Sequence, residues 1–134
     1  MSTLLYVDDN SQRLQVVPAR LGLLGHEVLT SNDGGEALEI FANQYIDLAI
    51  VDYYMPGMGG DILALEMKRA KPHVPVIIFS GTFTMREMVI AFVDGFISTA
   101  DGMDSLFLRI AELLPQRRIR RSRKVVRARS KGAA

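Results

Sequence analysis

Acidic and hydroxyl side chains follow the short apolar runs of this 134-residue chain. Asp8 and Asp9 come directly after the first run, Asp52 follows the third, and Ser80 ends the fourth. Three carboxylates in one place repel each other unless a cation joins them, and oxygen ligands with access to water suit Mg²⁺. A carboxylate beside such an ion can attack phosphorus, while the Ser80 hydroxyl hydrogen-bonds a phosphoryl oxygen. These residue types therefore indicate metal-assisted phosphoryl chemistry.

Each aspartate also has a simpler interpretation. An acidic residue at the end of a strand is often a turn residue or a helix N-cap. Asp9 or Asn10 could cap the first helix and do nothing more. Acidic groups at several strand ends favour a shared site, because these ends meet at one edge of a parallel sheet.

The elements that would position these side chains follow from the spacing of the apolar residues. Strand-like runs and helix-like spacing alternate strictly, which gives five strand–helix units. The strand-like runs are Leu4–Val7, His26–Thr30, Ile46–Val51, Val74–Phe79 and Phe96–Thr99. Near-continuous runs of this kind are typical of a parallel sheet that is buried on both faces. The pattern predicts an α/β fold with a doubly wound, five-stranded parallel sheet.

The charged residues divide the chain into two parts. All 15 acidic residues lie at or before Glu112, whereas nine of the 16 basic residues lie between Arg117 and Lys131. We therefore expect one folded domain over residues 1–115 and a basic, disordered tail over residues 116–134. Its Arg/Lys segment, residues 117–131, could bind a polyanion such as nucleic acid or anionic lipid, or fold back on the acidic domain.

The composition excludes several kinds of protein. The chain has no cysteine, which excludes a disulfide framework, a thiolate metal site and a cysteine nucleophile. Its apolar stretches have the length of strands, so no transmembrane segment is predicted. The first apolar run is too short for a signal peptide, and we expect a cytoplasmic location.

Three motifs together resemble those of a known family. They are Asp8-Asp9 after the first strand, Asp52–Gly60 (DYYMPGMGG) after the third, and Ile77–Gly81 (IIFSG) at the fourth. Over about residues 3–114 the chain resembles the receiver domain of two-component response regulators. The resemblance implies that the predicted sheet is of the flavodoxin-like (βα)5 type.

The resemblance also implies a role for each site residue. Asp52 would be the phosphoacceptor, which attacks a phosphohistidine of a partner protein. Asp9 would bind Mg²⁺ directly, Asp8 directly or through water, and Asp52 and the backbone carbonyl of Tyr54 would complete the protein ligands. Ser80 would be the switch hydroxyl that moves toward the phosphoryl group.

Further positions correspond to switch and access residues of the family. Phe96 would be the switch aromatic, and Tyr54 and Thr82 would modulate the access of water to the acylphosphate. Surface packing is the alternative role for Tyr54 and Thr82.

The chain departs from the family pattern at the end of the last strand. Thr99 stands where the family has lysine, and Ala100 stands where it has proline. A short hydroxyl side chain cannot replace an ammonium that pairs with a phosphoryl oxygen. Arg86 in the predicted fourth helix could supply the missing charge, or it could be a solvated helix residue. The interval from Ser80 to Thr99 is also shorter than usual, by about three residues.

The resemblance implies a stand-alone response regulator receiver, phosphorylated by a histidine kinase or phosphotransfer protein. It would signal to a downstream protein partner, as a monomer or a homodimer, with no enzyme activity beyond self-phosphorylation and self-dephosphorylation. The alternative, motivated by Thr99, is a degenerate receiver that binds partners without phosphorylation. A metal-dependent phosphohydrolase would need a second acid two residues after Asp52, where Tyr54 stands.

Overall fold

A computed structural model describes residues 2–81 and 91–114, which contain five strands and four complete helices. The strands are β1 Thr3–Val7, β2 Glu27–Ser31, β3 Leu48–Val51, β4 Val76–Ser80 and β5 Gly95–Ser98. The helices are α1 Ser11–Leu23, α2 Gly34–Asn43, α3 Gly60–Ala70 and α4 Gly102–Leu113, the last preceded by a 3-10 turn at Thr99–Asp101. Within these two ranges, every helix is too short or too polar to cross a bilayer.

All five strands belong to one parallel sheet in the order β2-β1-β3-β4-β5. The chain turns outward from β1 to β2 and then returns to the other side of β1, so the strand order reverses between β1 and β3. Val7 pairs with Val51 at the carboxyl ends of these two strands. An aspartate follows each strand directly, Asp8 after β1 and Asp52 after β3. The backbone N–H of Asp52 donates to the Val7 carbonyl at 2.9 Å.

Alternate residues of the strands enter two separate cores, one on each face of the sheet. Leu5 and Val7 of β1 lie in the core that packs against α2 and α3. Leu4 and Tyr6 lie in the core that packs against α1 and α4. This two-sided burial explains the near-continuous apolar strands and confirms the predicted flavodoxin-like, doubly wound parallel sheet.

The last strand ends one residue earlier than its apolar pattern predicts. β5 ends at Ser98, and Thr99 begins the 3-10 turn rather than ending the strand. The Ser98 hydroxyl accepts from the Ala100 N–H at 3.2 Å and caps this turn, which closes the strand. The predicted fourth helix, with Arg86 in it, lies mostly outside the described residues, and so does the basic tail over residues 116–134.

The start of α3 packs closely against the chain that follows β3. The Gly60 N–H donates to the Tyr53 carbonyl at 2.8 Å. A Cβ atom on Gly60 would fall on the Asp52 carbonyl oxygen and within 2.7 Å of Tyr53 Cα. Both obstacles are backbone atoms that cannot move aside cheaply, so this approach requires glycine.

We therefore expect Gly60→Ala to lower the free energy of unfolding by about 2 kcal/mol or more, because the added methyl overlaps with backbone. Urea denaturation followed by circular dichroism measures the change. Gly22→Ala is the matched control: Gly22 lies in α1 with open space around its Cα, and this variant should gain about 0.5–1 kcal/mol. Equal stabilities for Gly60→Ala and the wild type would contradict the close approach.

Candidate functional site

Three carboxylates meet at the carboxyl edge of the sheet, where the strand order reverses. Asp8 and Asp52 are buried, with 1% and 4% of their surfaces exposed, whereas Asp9 is exposed. One carboxylate oxygen of each lies within 4.8 Å of the others. Three hard oxygen donors at this spacing fit Mg²⁺, which takes carboxylate ligands and keeps several waters.

Asp8 is the most heavily hydrogen-bonded of the three. Its Oδ2 accepts from the Tyr6 hydroxyl at 2.7 Å and from Arg13 Nε at 2.7 Å. Its Oδ1 accepts from the Asn10 N–H at 2.9 Å and from Arg13 Nη2 at 3.1 Å. Burial raises the pKa of Asp8, but the hydrogen bonds from Arg13, Asn10 and Tyr6 outweigh it and hold that pKa below its ordinary value. Asp8 is therefore an ionised, fully paired carboxylate.

Asp52 lies in the opposite electrostatic situation. Burial, followed by the charge of Asp8, raises the pKa of Asp52 to about 6, against the opposing effects of Arg13 and a hydrogen bond from Ser80. The contact to Arg13 Nη2 is 3.4 Å, longer than the contacts that Arg13 makes with Asp8. The Asp52 carboxylate is thus short of positive charge, and a cation bound beside it would stabilise its ionised form.

An open cleft of about 500 Å³ gives solvent access to this cluster. Its wall combines carboxylate, amide and hydroxyl groups with a single guanidinium, and the lining residues are Asp9, Asn10, Arg13, Asp52, Tyr54, Ser80 and Gly81. Asn10 is the N-cap of α1, where its side chain accepts from the Arg13 N–H at 2.9 Å. Asn10, and not Asp9, thus caps the helix, and Asp9 lines the cleft.

The structure places the other predicted site residues around this cleft. Ser80 ends β4 and is buried beside Asp52. Tyr54 is 62% exposed on the cleft wall, with its ring edge-on to Tyr53 at 5.1 Å between centroids. Thr99 lies just beyond β5, where its Oγ1 would be 3.3 Å from a Cβ on Gly81.

Phe96 is farther from the cleft. It pairs with Ile78 in the sheet, is half-buried, and packs against the core on the α2 and α3 face. Thr82 lies outside the described residues.

Two residues of the site, Arg13 and Tyr6, are not among the site residues predicted from the sequence. Arg13 lies in the first turn of α1, and helical side chains tilt toward the helix N-terminus, which directs this one toward the end of β1. Tyr6 precedes Asp8 by two residues and so shares its face of the strand. Both signals are present in the sequence as a basic residue five positions after Asp8 and a tyrosine two positions before it.

A family profile described as response regulator receiver domain matches residues 4–104. The transcriptional regulatory protein GlrR of Escherichia coli (strain K12) is 32% identical over 116 residues, which cover 84% of this chain and 26% of GlrR. The autoinducer 1 sensor kinase/phosphatase LuxN of Vibrio campbellii is 31% identical over 106 residues, 78% of this chain and 12% of LuxN. The chain thus spans about a quarter or less of these relatives.

Solved structures show the same fold. The response regulator protein TrrA of Thermotoga maritima, in complex with Mg²⁺–BeF, matches with a TM-score of 0.81 and 28% identity, over 85% of this chain and all of TrrA. TrrA in complex with the histidine kinase ThkA matches with a TM-score of 0.80 and 28% identity, over 86% of this chain and all of TrrA.

We expect Tyr6→Phe to cost about 1–2 kcal/mol of stability, because it removes a buried hydrogen bond to an ionised carboxylate and keeps the ring. Burial and the bond to Asp8 raise the pKa of Tyr6 above its ordinary value, so the wild-type hydroxyl is protonated near neutral pH. Thermal and urea denaturation would measure the loss. Tyr54→Phe, at an exposed tyrosine, should change stability by less than about 0.5 kcal/mol. If the two variants lose the same amount, the Tyr6–Asp8 bond contributes nothing.

Proposed function

The chain belongs to the response regulator receiver domain family, and from this membership we propose that it accepts a phosphoryl group on Asp52 in a Mg²⁺-dependent reaction. One observation carries the proposal: carboxylate oxygens of Asp8, Asp9 and Asp52 lie within 4.8 Å of each other at the edge of the cleft. Ligands of open α/β sheets bind at this reversal of strand order.

The proposed reaction uses an Asp52 oxygen as the nucleophile. It attacks the phosphorus of a phosphohistidine, an O–P bond forms as the P–N bond breaks, and the electron pair of the broken bond stays on the imidazole nitrogen, which takes up a proton. Mg²⁺, held by Asp8, Asp9, Asp52 and the Tyr54 carbonyl, would neutralise charge on the phosphoryl oxygens when bound. Ser80, which now hydrogen-bonds Asp52, would transfer its hydrogen bond to a phosphoryl oxygen.

We place the remaining predicted residues in supporting roles. Phe96 would be the switch aromatic, whose side chain changes position when Ser80 moves, because Phe96 lies on the strand next to that of Ser80. Tyr54, exposed on the cleft wall, and Thr82 would limit the access of water to the acylphosphate. Thr99 holds the place of the family lysine beside Gly81.

The proposed partners follow from the same chemistry. A histidine kinase or a phosphotransfer protein would supply the phosphoryl group; the related TrrA forms a complex with the histidine kinase ThkA. The receiver domain, residues 1–115, would signal by binding a downstream protein or a second copy of the chain. This signalling would take place in the cytoplasm. The basic tail, residues 116–134, would add contacts to a polyanion.

A receiver that binds partners without phosphorylation is the second candidate function. Two observations favour it: Thr99 replaces the lysine, and Arg13 already pairs with both oxygens of Asp8. Under this alternative the acidic cluster would be a structural ion-pair network. Whether Asp52 becomes phosphorylated distinguishes the two functions.

With Mg²⁺ and a small phosphodonor such as acetyl phosphate, the wild-type chain should gain one phosphoryl group, because the Asp52 carboxylate, although largely buried, lines the open cleft next to Asp8 and Asp9. Asp52→Asn should abolish this labelling, and removal of Mg²⁺ should lower its rate by about 100-fold or more. Intact mass spectrometry and peptide mapping measure the adduct. Asp104→Asn, at an exposed carboxylate of α4, should label like the wild type. Labelling that persists in Asp52→Asn would contradict the assignment of the acceptor.

A further inference from the structure

The Arg13 guanidinium is the positive group closest to the proposed acceptor among the described residues. It reaches from α1 across the end of the sheet and forms a bidentate pair with Asp8, at 2.7 and 3.1 Å. Its Nη2 is also 3.4 Å from Oδ2 of Asp52. The side chain is 34% exposed and lines the cleft together with Ser80 and Gly81. Arg13 therefore faces the place where a phosphoryl group on Asp52 would lie.

Thr99 lies near Arg13, on a different side of it from the acidic cluster. Arg13 and Thr99 both line a second cavity, of about 340 Å³, between α1 and the start of α4. Arg13 thus lies between the acidic cleft and the position at which the family has lysine. An arginine on α1 and a lysine at position 99 would therefore both place a positive charge near Asp52.

Resting on the proposed function, we propose that Arg13 replaces the missing lysine as the charge partner of the phosphoryl group. Asp8 holds the guanidinium through both of its oxygens. When a divalent cation binds the carboxylates, Arg13 gives up hydrogen bonds to Asp8. Its guanidinium then pairs with the oxygens of a phosphoryl group on Asp52.

The donor geometry of arginine supports this exchange. A guanidinium has five N–H donors, and the described contacts use those of Nε and Nη2. The Nη1 donors lie outside these contacts, so an anion can be bound without losing the whole pair with Asp8. Arginine also matches phosphate geometry with two parallel hydrogen bonds, which a threonine at position 99 cannot offer.

The same geometry makes Arg13 a competitor of Mg²⁺. Both oxygens of Asp8 already accept from Arg13, so direct coordination of Mg²⁺ by Asp8 displaces at least one of these bonds. The removal of Arg13 should therefore have two opposite effects: tighter binding of Mg²⁺ and weaker binding of a phosphoryl group. A purely structural arginine would not produce this combination.

The test measures both affinities by calorimetry in four variants. The probes are Mg²⁺ alone, and beryllofluoride, a phosphoryl mimic, at saturating Mg²⁺. We expect Arg13→Gln to bind Mg²⁺ several-fold more tightly and beryllofluoride about tenfold or more weakly than the wild type. Arg13→Gln combined with Thr99→Lys should recover most of the beryllofluoride affinity, and Arg13→Lys should retain most of it. Arg20→Gln, on the same helix but over the Phe107 ring, is the matched control and should change neither affinity.

The outcomes distinguish a failure of the role proposed for Arg13 from a failure of the proposed function. Unchanged beryllofluoride affinity in Arg13→Gln overturns the role of Arg13, whether or not Mg²⁺ binds more tightly. Unchanged Mg²⁺ affinity overturns the exchange at Asp8. If Arg13→Gln does not fold, equal beryllofluoride binding by Arg13→Lys and the wild type supports the charge role, and complete loss in Arg13→Lys overturns it. If the wild type and Arg20→Gln both fail to bind beryllofluoride at saturating Mg²⁺, the proposed function itself is wrong.

Discussion

The burial of two carboxylates side by side is the constraint on which this site depends. Because Val7 pairs with Val51, Asp8 and Asp52 must lie next to each other at the end of the sheet. Two buried negative charges at this distance are unfavourable unless positive charge or hydrogen-bond donors compensate them. The chain compensates Asp8 fully, through Arg13, Tyr6 and the Asn10 N–H, and Asp52 only in part. This asymmetry leaves Asp52 as the group that gains most from a bound cation.

The departures from the family pattern concern the same balance of charge. The family places a mobile ammonium at the position of Thr99, whereas this chain places a guanidinium on the first turn of α1. The two cations would differ in their consequences. A lysine on the last strand would couple the phosphoryl group to that strand, whereas Arg13, in the role proposed for it, would couple the phosphoryl group to α1. Phosphorylation in this protein would then act on the α1 side of the sheet more strongly than on the β5 side.

The sequence predicts the sheet and its acidic edge because both depend on strong local patterns. Five apolar runs separated by helical spacing allow few topologies, and parallel strands bring Asp8 and Asp52 to one edge. The spacing of Arg13 from Asp8 is visible in the sequence, but the pairing of the two side chains depends on how α1 lies over β1, which that spacing alone does not determine. The apolar pattern predicts that β5 ends at Thr99, but the strand ends at Ser98, whose hydroxyl caps the turn that follows. A side-chain hydrogen bond of this kind competes with strand pairing and leaves apolar periodicity unchanged.

A magnesium titration of the wild type, Asp9→Asn and Asp52→Asn by calorimetry tests most directly whether the carboxylates form one cation site. The two substituted residues come from different strand ends, and the hydrogen bonds and ion pairs that Arg13 forms with carboxylates among the described residues go to Asp8 and Asp52, not to Asp9. Our account predicts one Mg²⁺ per chain, with an affinity that falls about tenfold or more in each variant. Wild-type affinity in both variants would contradict the shared site and, with it, the account of Asp52 as a metal-assisted nucleophile.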